Sequence, residues 1–268
     1  MINFEPKRSY QTIGLILRQE LSDGMYPIGS RLPPERDIAE RLNVGRTVVR
    51  EAIIMLELEN LVDVKKGSGV YVINLPQDDL SQGNLPQSKH SQSGSGSARQ
   101  EDVGPFEMLQ ARQLLESTIA EFAAVQATPS DIARMREALE IEKNEINSDD
   151  DLEPTGDKLF HFYIAEATQN SILVDMFKQL WERRESSPMW QKLHCHIENK
   201  DYCKEWLDDH AQILLAMQRK DPSAAKHAMW QHLENVKIKL LELSDFEDPQ
   251  FDGYLFESIP AKLVLQKK

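Results

Sequence analysis

Two cysteines, Cys195 and Cys203, are all that the 268 residues contain, too few for a disulfide framework. Long apolar runs are missing too. None is longer than AIIML at residues 52–56, far short of the roughly 20 residues a helix needs to cross a bilayer. The start, MINFEPKRSYQ, has no apolar core of the secretory kind, and no HExxH metal-enzyme motif occurs anywhere. A soluble, cytoplasmic protein is expected. Positive charge is also in deficit, with a net charge of −13; phosphate repels such a surface, which by itself argues against nucleic acid.

The charge is unevenly spread, however. Residues 1–76 hold ten Lys and Arg against ten Asp and Glu, whereas the remainder holds 21 against 34 and so carries the whole excess. With 40% hydrophobic residues over this length, two compact units are expected. Between them, residues 77–104 are dominated by Ser, Gln and Gly. That composition buries too little surface to offset its ordering entropy, and it predicts a flexible linker.

The first 76 residues read as three helices and a hairpin. SYQTIGLILRQELSDG spaces Ile13, Ile16, Leu17 and Leu21 at helical intervals and ends in Asp-Gly. PERDIAERLN opens with Pro34, where a missing N–H costs little. RTVVREAIIMLELEN follows, with Val49, Ile53 and Leu56 as its buried stripe, and LVDVKK and GVYVI flank a Gly-Ser turn. This order is that of a winged helix-turn-helix. Arg46 and Arg50 stand four apart around Thr47 at the start of the third helix, and their forked ends suit guanine or phosphate. Arg36 opens the second helix and could cross the backbone, while Lys65, Lys66 and Gly67 could approach the neighbouring minor groove. Isolated RxxxR spacings are usually solvated helix faces; the order of elements favours DNA here.

RLPPERDIAERLNVGRTVVREAIIMLELENLVDVKKGSGVYV resembles the DNA-binding domain of the GntR family of bacterial regulators over essentially all of residues 10–73. The resemblance implies that Arg36, Arg46, Thr47, Arg50 and Gly67 contact DNA. Gly45 departs from the Ser or Thr that many members use to cap the recognition helix, but Gly is an acceptable N-cap.

Residues 105–245 read almost entirely as helix, and an antiparallel bundle is expected, making the chain mainly α. The tail, 246–268, shows no clear period. In DKLFHFYIAEA, Asp157 and His161 lie one turn apart on one helix face. If Lys220-Asp221-Pro222 is a turn, His210 and His232 each lie eleven residues from Asp221, about 16 Å from the turn at the α-helical rise. They are then level on antiparallel helices. Three imidazoles and a carboxylate suit a divalent metal such as Zn²⁺, Ni²⁺ or Mn²⁺ with positions left for a small acid. His194, Cys195, His196 and Cys203 form a competing set. Arg112 sits in the apolar stripe of Met108, Leu115 and Ile119 with Glu116 one turn on. It is either a buried ion pair or, with Glu116, a fork for a ligand carboxylate.

This half resembles the FadR-type (FCD) effector domain of the same family, which carries RxxxE near its start, DxxxH in mid-domain and two later histidines. The resemblance implies metal ligation by Asp157, His161, His210 and His232 beside Arg112. Members that bind acyl-CoA lack the full set, which favours a small acid. Through GPFEMLQARQLLESTIAEFAA, FHFYIAEATQNS and KDPSAAKHAMWQHLEN the chain is similar to the hexuronate-utilisation repressors of this family. That likeness implies a repressor released from its operator by a sugar acid, and because one winged helix reads only a short half-site a homodimer on a palindromic operator is expected. The alternatives are an acyl-CoA-responsive regulator and a metal-dependent enzyme with Glu116 as base.

Overall fold

The computed structural model describes residues 9–65, 68–76, 103–147, 155–195 and 201–244, with the backbone alone described at 9, 194, 195, 201, 202 and 242–244. They fall into two compact units. The expected linker, save Val103 and Gly104, and the whole tail lie outside the described residues.

The first unit comprises α1 (Ser9–Ser22), α2 (Glu35–Leu42), α3 (Arg46–Leu58) and the strands β1 (Val62–Lys65) and β2 (Gly69–Val72). Ile13, Leu17 and Leu21 recur every four residues and are buried, forming the inner stripe of α1. Ile16 was expected in that stripe but is 37% exposed, because a residue next to Leu17 lies about 100° round the helix. After α2 the chain reverses at Asn43, which takes the left-handed conformation with φ 52°, one that Asn tolerates better than most non-glycine residues. Gly45 then enters α3 in extended conformation without a side-chain cap. Val49, Ile53 and Leu56 are buried as their spacing requires. The strands pair antiparallel, Val62 opposite Val72 and Asp63 opposite Tyr71, so alternation points the valines inward. The result is a winged helix-turn-helix.

The second unit is all helix: α4 (Pro105–Gln126), α5 (Pro129–Asn147), α6 (Gly156–Ala167), α7 (Ser171–Ser186), α8 (Pro188–Cys195), α9 (Asp201–Gln218) and α10 (Pro222–Ser244). α10 packs on α4 and α9, and α5 packs on α6 and α9. Phe160, Ile164, Phe177, Ile213, Met217 and Met229 lie in the shared core. No described helix is long and apolar enough to cross a membrane. α8 was not foreseen, although Ser187-Pro188 is a helix-start signal; the Ser187 hydroxyl accepts from Trp190 N–H at 3.2 Å, and Met189, Trp190 and Leu193 are buried.

Two local features set the geometry of the bundle. At the α9–α10 turn, Lys220 is left-handed with φ 52°, Asp221 N–H bonds Ala216 C=O at 3.1 Å, and the Asp221 carboxylate caps Ala224 N–H at 3.0 Å. The turn falls where the spacing argument placed it. At the start of α6 a Cβ on Gly156 would lie 2.3 Å from the backbone nitrogen of Glu142, so α6 meets the backbone of α5 directly. Glu145, one turn further along α5, accepts from Thr155 N–H at 2.9 Å and Gly156 N–H at 3.0 Å. Gly156→Ala should therefore cost about 1–3 kcal/mol, the usual range for overpacking. Urea unfolding of the full chain checks this; a variant as stable as the parent would mean the close approach is not a constraint.

Candidate functional site

In the first unit, the residues expected at DNA are distributed unequally. Arg46 and Thr47 open α3 and are half-buried, and Arg36 is exposed beside Asp37. Lys65 is exposed at the end of β1, its Nζ 4.9 Å from the centroid of the Tyr71 ring. Tyr71 in turn hydrogen-bonds the Ser68 hydroxyl at 2.7 Å, bracing the base of the wing tip. Lys66 and Gly67 lie outside the described residues.

Arg50 departs from the expectation of a groove-facing side chain. It is 6% exposed and forks onto the Glu35 carboxylate through Nε and Nη2; the remaining Nη1 makes no hydrogen bond. The pair ties the second turn of α3 to the first turn of α2. Neighbouring the Val49 stripe, Arg50 meets the side of α3 that α2 covers, which the spacing of α3 alone does not reveal.

In the second unit, Asp157 and His161 on α6, His210 on α9 and His232 on α10 converge. One ligand atom from each lies within 4.8 Å of all the others. His161 Nε2 and His232 Nε2 are 3.2 Å and 3.1 Å from His210 Nε2, and Asp157 Oδ1 is 3.4 Å from His161 Nε2 and 3.7 Å from His210 Nε2. The three histidines are buried, and Asp157 is 30% exposed, the open side of the cluster. The opposite ring nitrogens face carboxylates: His161 Nδ1 meets Glu116 at 2.6 Å, His210 Nδ1 meets Glu142 at 2.8 Å and His232 Nδ1 meets Asp209 at 3.4 Å.

That outer ring decides the chemistry. An imidazole whose Nδ1–H donates to a carboxylate presents its Nε2 lone pair, so three lone pairs point at one another. One shared proton can bridge only one of the two short gaps. A divalent ion at Zn–N distances of about 2.0–2.1 Å has ligand atoms roughly 3.0–3.4 Å apart, close to the spacings present here. The donor set therefore fits a metal.

The electrostatics agree. Burial would push the Glu116 carboxyl up, but Arg112 and then His161 hold it down at about 2. Asp157 is held well below the usual carboxylate range, its burial outweighed by His161, Arg184 and His210. Burial lowers His210, yet the hydrogen bond and charge of Glu142 raise it above an ordinary histidine. His232 is lowered, by burial first and by His210 second.

Sequence comparison accounts for both units. Residues 9–72 match the model described as bacterial regulatory proteins, gntR family, and residues 107–235 match the FCD domain. The Uxu operon transcriptional regulator of Escherichia coli K12 is 52% identical over 260 residues, covering 96% of each chain. The Uxu operon regulator of Haemophilus influenzae is 51% identical over 95% of this chain and 90% of that one. The Exu regulon transcriptional regulator of E. coli K12 is 46% identical over 96% of this chain and 94% of that one. The chain belongs to the GntR family. As a GntR-family protein with an FCD domain it is a DNA-binding transcription regulator, not an enzyme.

Arg112 in this GntR-family chain makes the ion pair with Glu116. Its Nε donates to Glu116 Oε1 at 2.6 Å and its Nη2 to Oε2 at 3.3 Å, with both side chains buried. Of the competing set, His196 lies outside the described residues, as do the side chains of His194 and Cys195, and Cys203 is half-buried. Glu142, Asp209 and Arg184 were not foreseen. Each acts across the bundle on a partner far away in sequence, and no local spacing marks them.

Arg50→Ala leaves the Glu35 carboxylate in a covered site without its partner, so the N-terminal unit should lose about 3 kcal/mol. Hydrogen exchange of α3 amides in the full chain reads this. Protection equal to the parent's would show that the pair does not hold α2 to α3.

Proposed function

We propose that the chain is a homodimeric repressor of hexuronate-utilisation genes, released from its operator when a sugar acid binds at a metal held by Asp157, His161, His210 and His232. The observation that carries this is the convergence of three Nε2 lone pairs and Asp157 Oδ1 on one point, backed by Glu116, Glu142 and Asp209. Zn²⁺, Ni²⁺ and Mn²⁺ all suit imidazole and carboxylate together. When bound, the metal supplies an electrophilic centre with positions left for carboxylate or hydroxyl oxygens. The likeness to Uxu and Exu regulators supports a hexuronate such as glucuronate, galacturonate or fructuronate.

On the DNA side, Arg36, Arg46, Thr47, Lys65, Lys66 and Gly67 make the groove and phosphate contacts, while Arg50 chiefly fixes the angle between α2 and α3. Residues 1–76 serve as the DNA-binding domain and 105–245 as the effector and dimerisation domain, working in the cytoplasm where operator DNA lies. One winged helix reads only a short half-site, so a palindromic operator calls for two copies. α4 offers a face for that pairing: Leu114 is 65% exposed, with Phe122 and Val125 exposed along the same helix. The sugar acid releases DNA by binding the non-operator arrangement of the dimer more tightly.

A gel shift on uronate-operon promoter DNA, titrated with individual uronic acids with and without chelator, tests the reading. Release by a uronic acid, abolished by chelation and by His210→Ala with His232→Ala, is the expected result. Release by acyl-CoA and by no sugar acid would sink the effector assignment, and unchanged metal content in the double variant would sink the metal assignment. Because metal-free His210 holds its proton to higher pH than an ordinary histidine, metal affinity should fall as pH drops through that raised value. Sedimentation should give a dimer for the parent and a shift to monomer for Phe122→Glu, since a charge at the centre of an apolar contact is left unpaired; a Phe122→Glu dimer of parental affinity would place the interface elsewhere.

A further inference from the structure

Arg112, for which the sequence left a buried ion pair and a ligand fork both open, is hydrogen-bonded to Glu116. A second guanidinium at the same site is not. Arg184, near the end of α7, has its Nη1 3.6 Å from Asp157 Oδ2, too long for a hydrogen bond, and its side chain is only 17% exposed. Its Nε is buried and has no hydrogen-bond partner. The guanidinium carbon lies 4.6 Å from the Trp181 ring centroid and 4.7 Å from that of Trp190, while Arg112 lies over Trp181 at 4.5 Å. Stacking on indoles fixes the plane of a guanidinium and leaves its N–H edge to be satisfied by something else.

The two oxygens of Asp157 divide the work. Oδ1 faces His161 Nε2 and His210 Nε2, and Oδ2 faces Arg184. Arg184 therefore stands beside the open side of the cluster, on the carboxylate that lines it. Arg112 is hydrogen-bonded to Glu116, whereas Asp157 Oδ2 lies beyond hydrogen-bond reach of Arg184 Nη1. Burial, and after it the proximity of Arg112, lowers the Arg184 pKa to about 10, with Asp157, Glu116 and Glu185 acting against them, and the guanidinium remains charged. A cation held by the imidazoles would draw on the same Asp157 carboxylate. What Arg184 lacks is a hydrogen-bond acceptor for its Nε.

We infer that Arg184, stacked on Trp181 and Trp190, is the residue that recognises the carboxylate of the effector and so separates the sugar acid from its uncharged counterparts. The inference rests on the effector binding beside Asp157, as proposed above. An Arg–carboxylate contact is charge-assisted and directional, and hydrogen bonds to charged groups are worth enough to shift affinity by about ten- to a hundredfold. A neutral ester of the same sugar keeps the hydroxyls but forfeits this contact.

The test uses the full-length, metal-loaded protein, with binding read by calorimetry and by tryptophan fluorescence, to which Trp181 and Trp190 contribute. The probes are D-galacturonate, its methyl ester, and acetate as a bare carboxylate. Arg184→Gln should weaken galacturonate binding at least tenfold and leave the ester unchanged, with circular dichroism as the folding control. Arg184→Lys, which keeps charge but not the fork, should lose less than Arg184→Gln. Equal galacturonate affinity in parent and Arg184→Gln overturns the inference, as does equal loss of acid and ester. If the parent binds neither galacturonate nor its ester, the hexuronate reading fails separately, and acetate then decides. Saturable acetate binding that Arg184→Gln weakens upholds the role of Arg184, and acetate binding absent in the parent or equal in both overturns it.

Discussion

Lone pairs on nitrogen that face one another at 3.1 Å and 3.2 Å repel unless positive charge stands between them. The C-terminal unit is organised around that constraint. Glu116, Glu142 and Asp209 each take the outer nitrogen of one imidazole, which turns the inner nitrogens toward a common point. Each of those carboxylates has a further tie. Glu116 is paired with Arg112, Asp209 accepts from the Asn235 amide at 2.9 Å, and Glu142 sits where the backbone of α5 is met by Gly156. The histidines are thus aimed by helices that do not carry them.

Such an arrangement of buried polar groups is costly. Burying several charges together is seldom stabilising in itself, because desolvation consumes most of the Coulomb attraction. The Arg112–Glu116 pair illustrates this: buried among Met108, Ile119 and Ala123 on α4, it adds little net stability compared with apolar residues of the same size. Its value lies in holding a charged Glu116 against His161 and in giving the Trp181 ring a cation on one face while Arg184 occupies another position over the same ring. The cluster is therefore a device for positioning groups, built at the expense of core packing.

The N-terminal unit follows the same logic on a smaller scale. A recognition helix is useful only if its angle to the preceding helix is fixed, and α2 has just Ile38 and Ala39 fully buried. The Glu35–Arg50 fork supplements that small apolar contact with a directional one. Arg50 is consequently an internal strut with a single nitrogen left over, whereas Arg36, Arg46 and Lys65 stand farther out.

Much of this was legible in the chain. The left-handed turn at Lys220 lies where Lys-Asp-Pro put it, and a rise of about 1.5 Å per residue is enough to bring His210 level with His232. One turn of helix likewise sets Asp157 beside His161. These are consequences of local periodicity, which depends only on neighbours within a few residues. The exposure of Ile16, the Arg50–Glu35 pair and α8 were missed for a related reason: spacing says which residues share a face, but the width of the buried face depends on what packs against it. Glu142, Asp209 and Arg184 left no trace in any spacing. Their partners are 68, 23 and 27 residues away, and a side chain's role across such distances is settled when helices dock. The sequence by itself determined most of the helices, the turn at Lys220 and the alignment of Asp157 with His161 and of His210 with His232. Only the tertiary structure decided which carboxylates meet the imidazoles, that Arg112 pairs with Glu116, and that Arg184 Nε is buried without a hydrogen-bond partner.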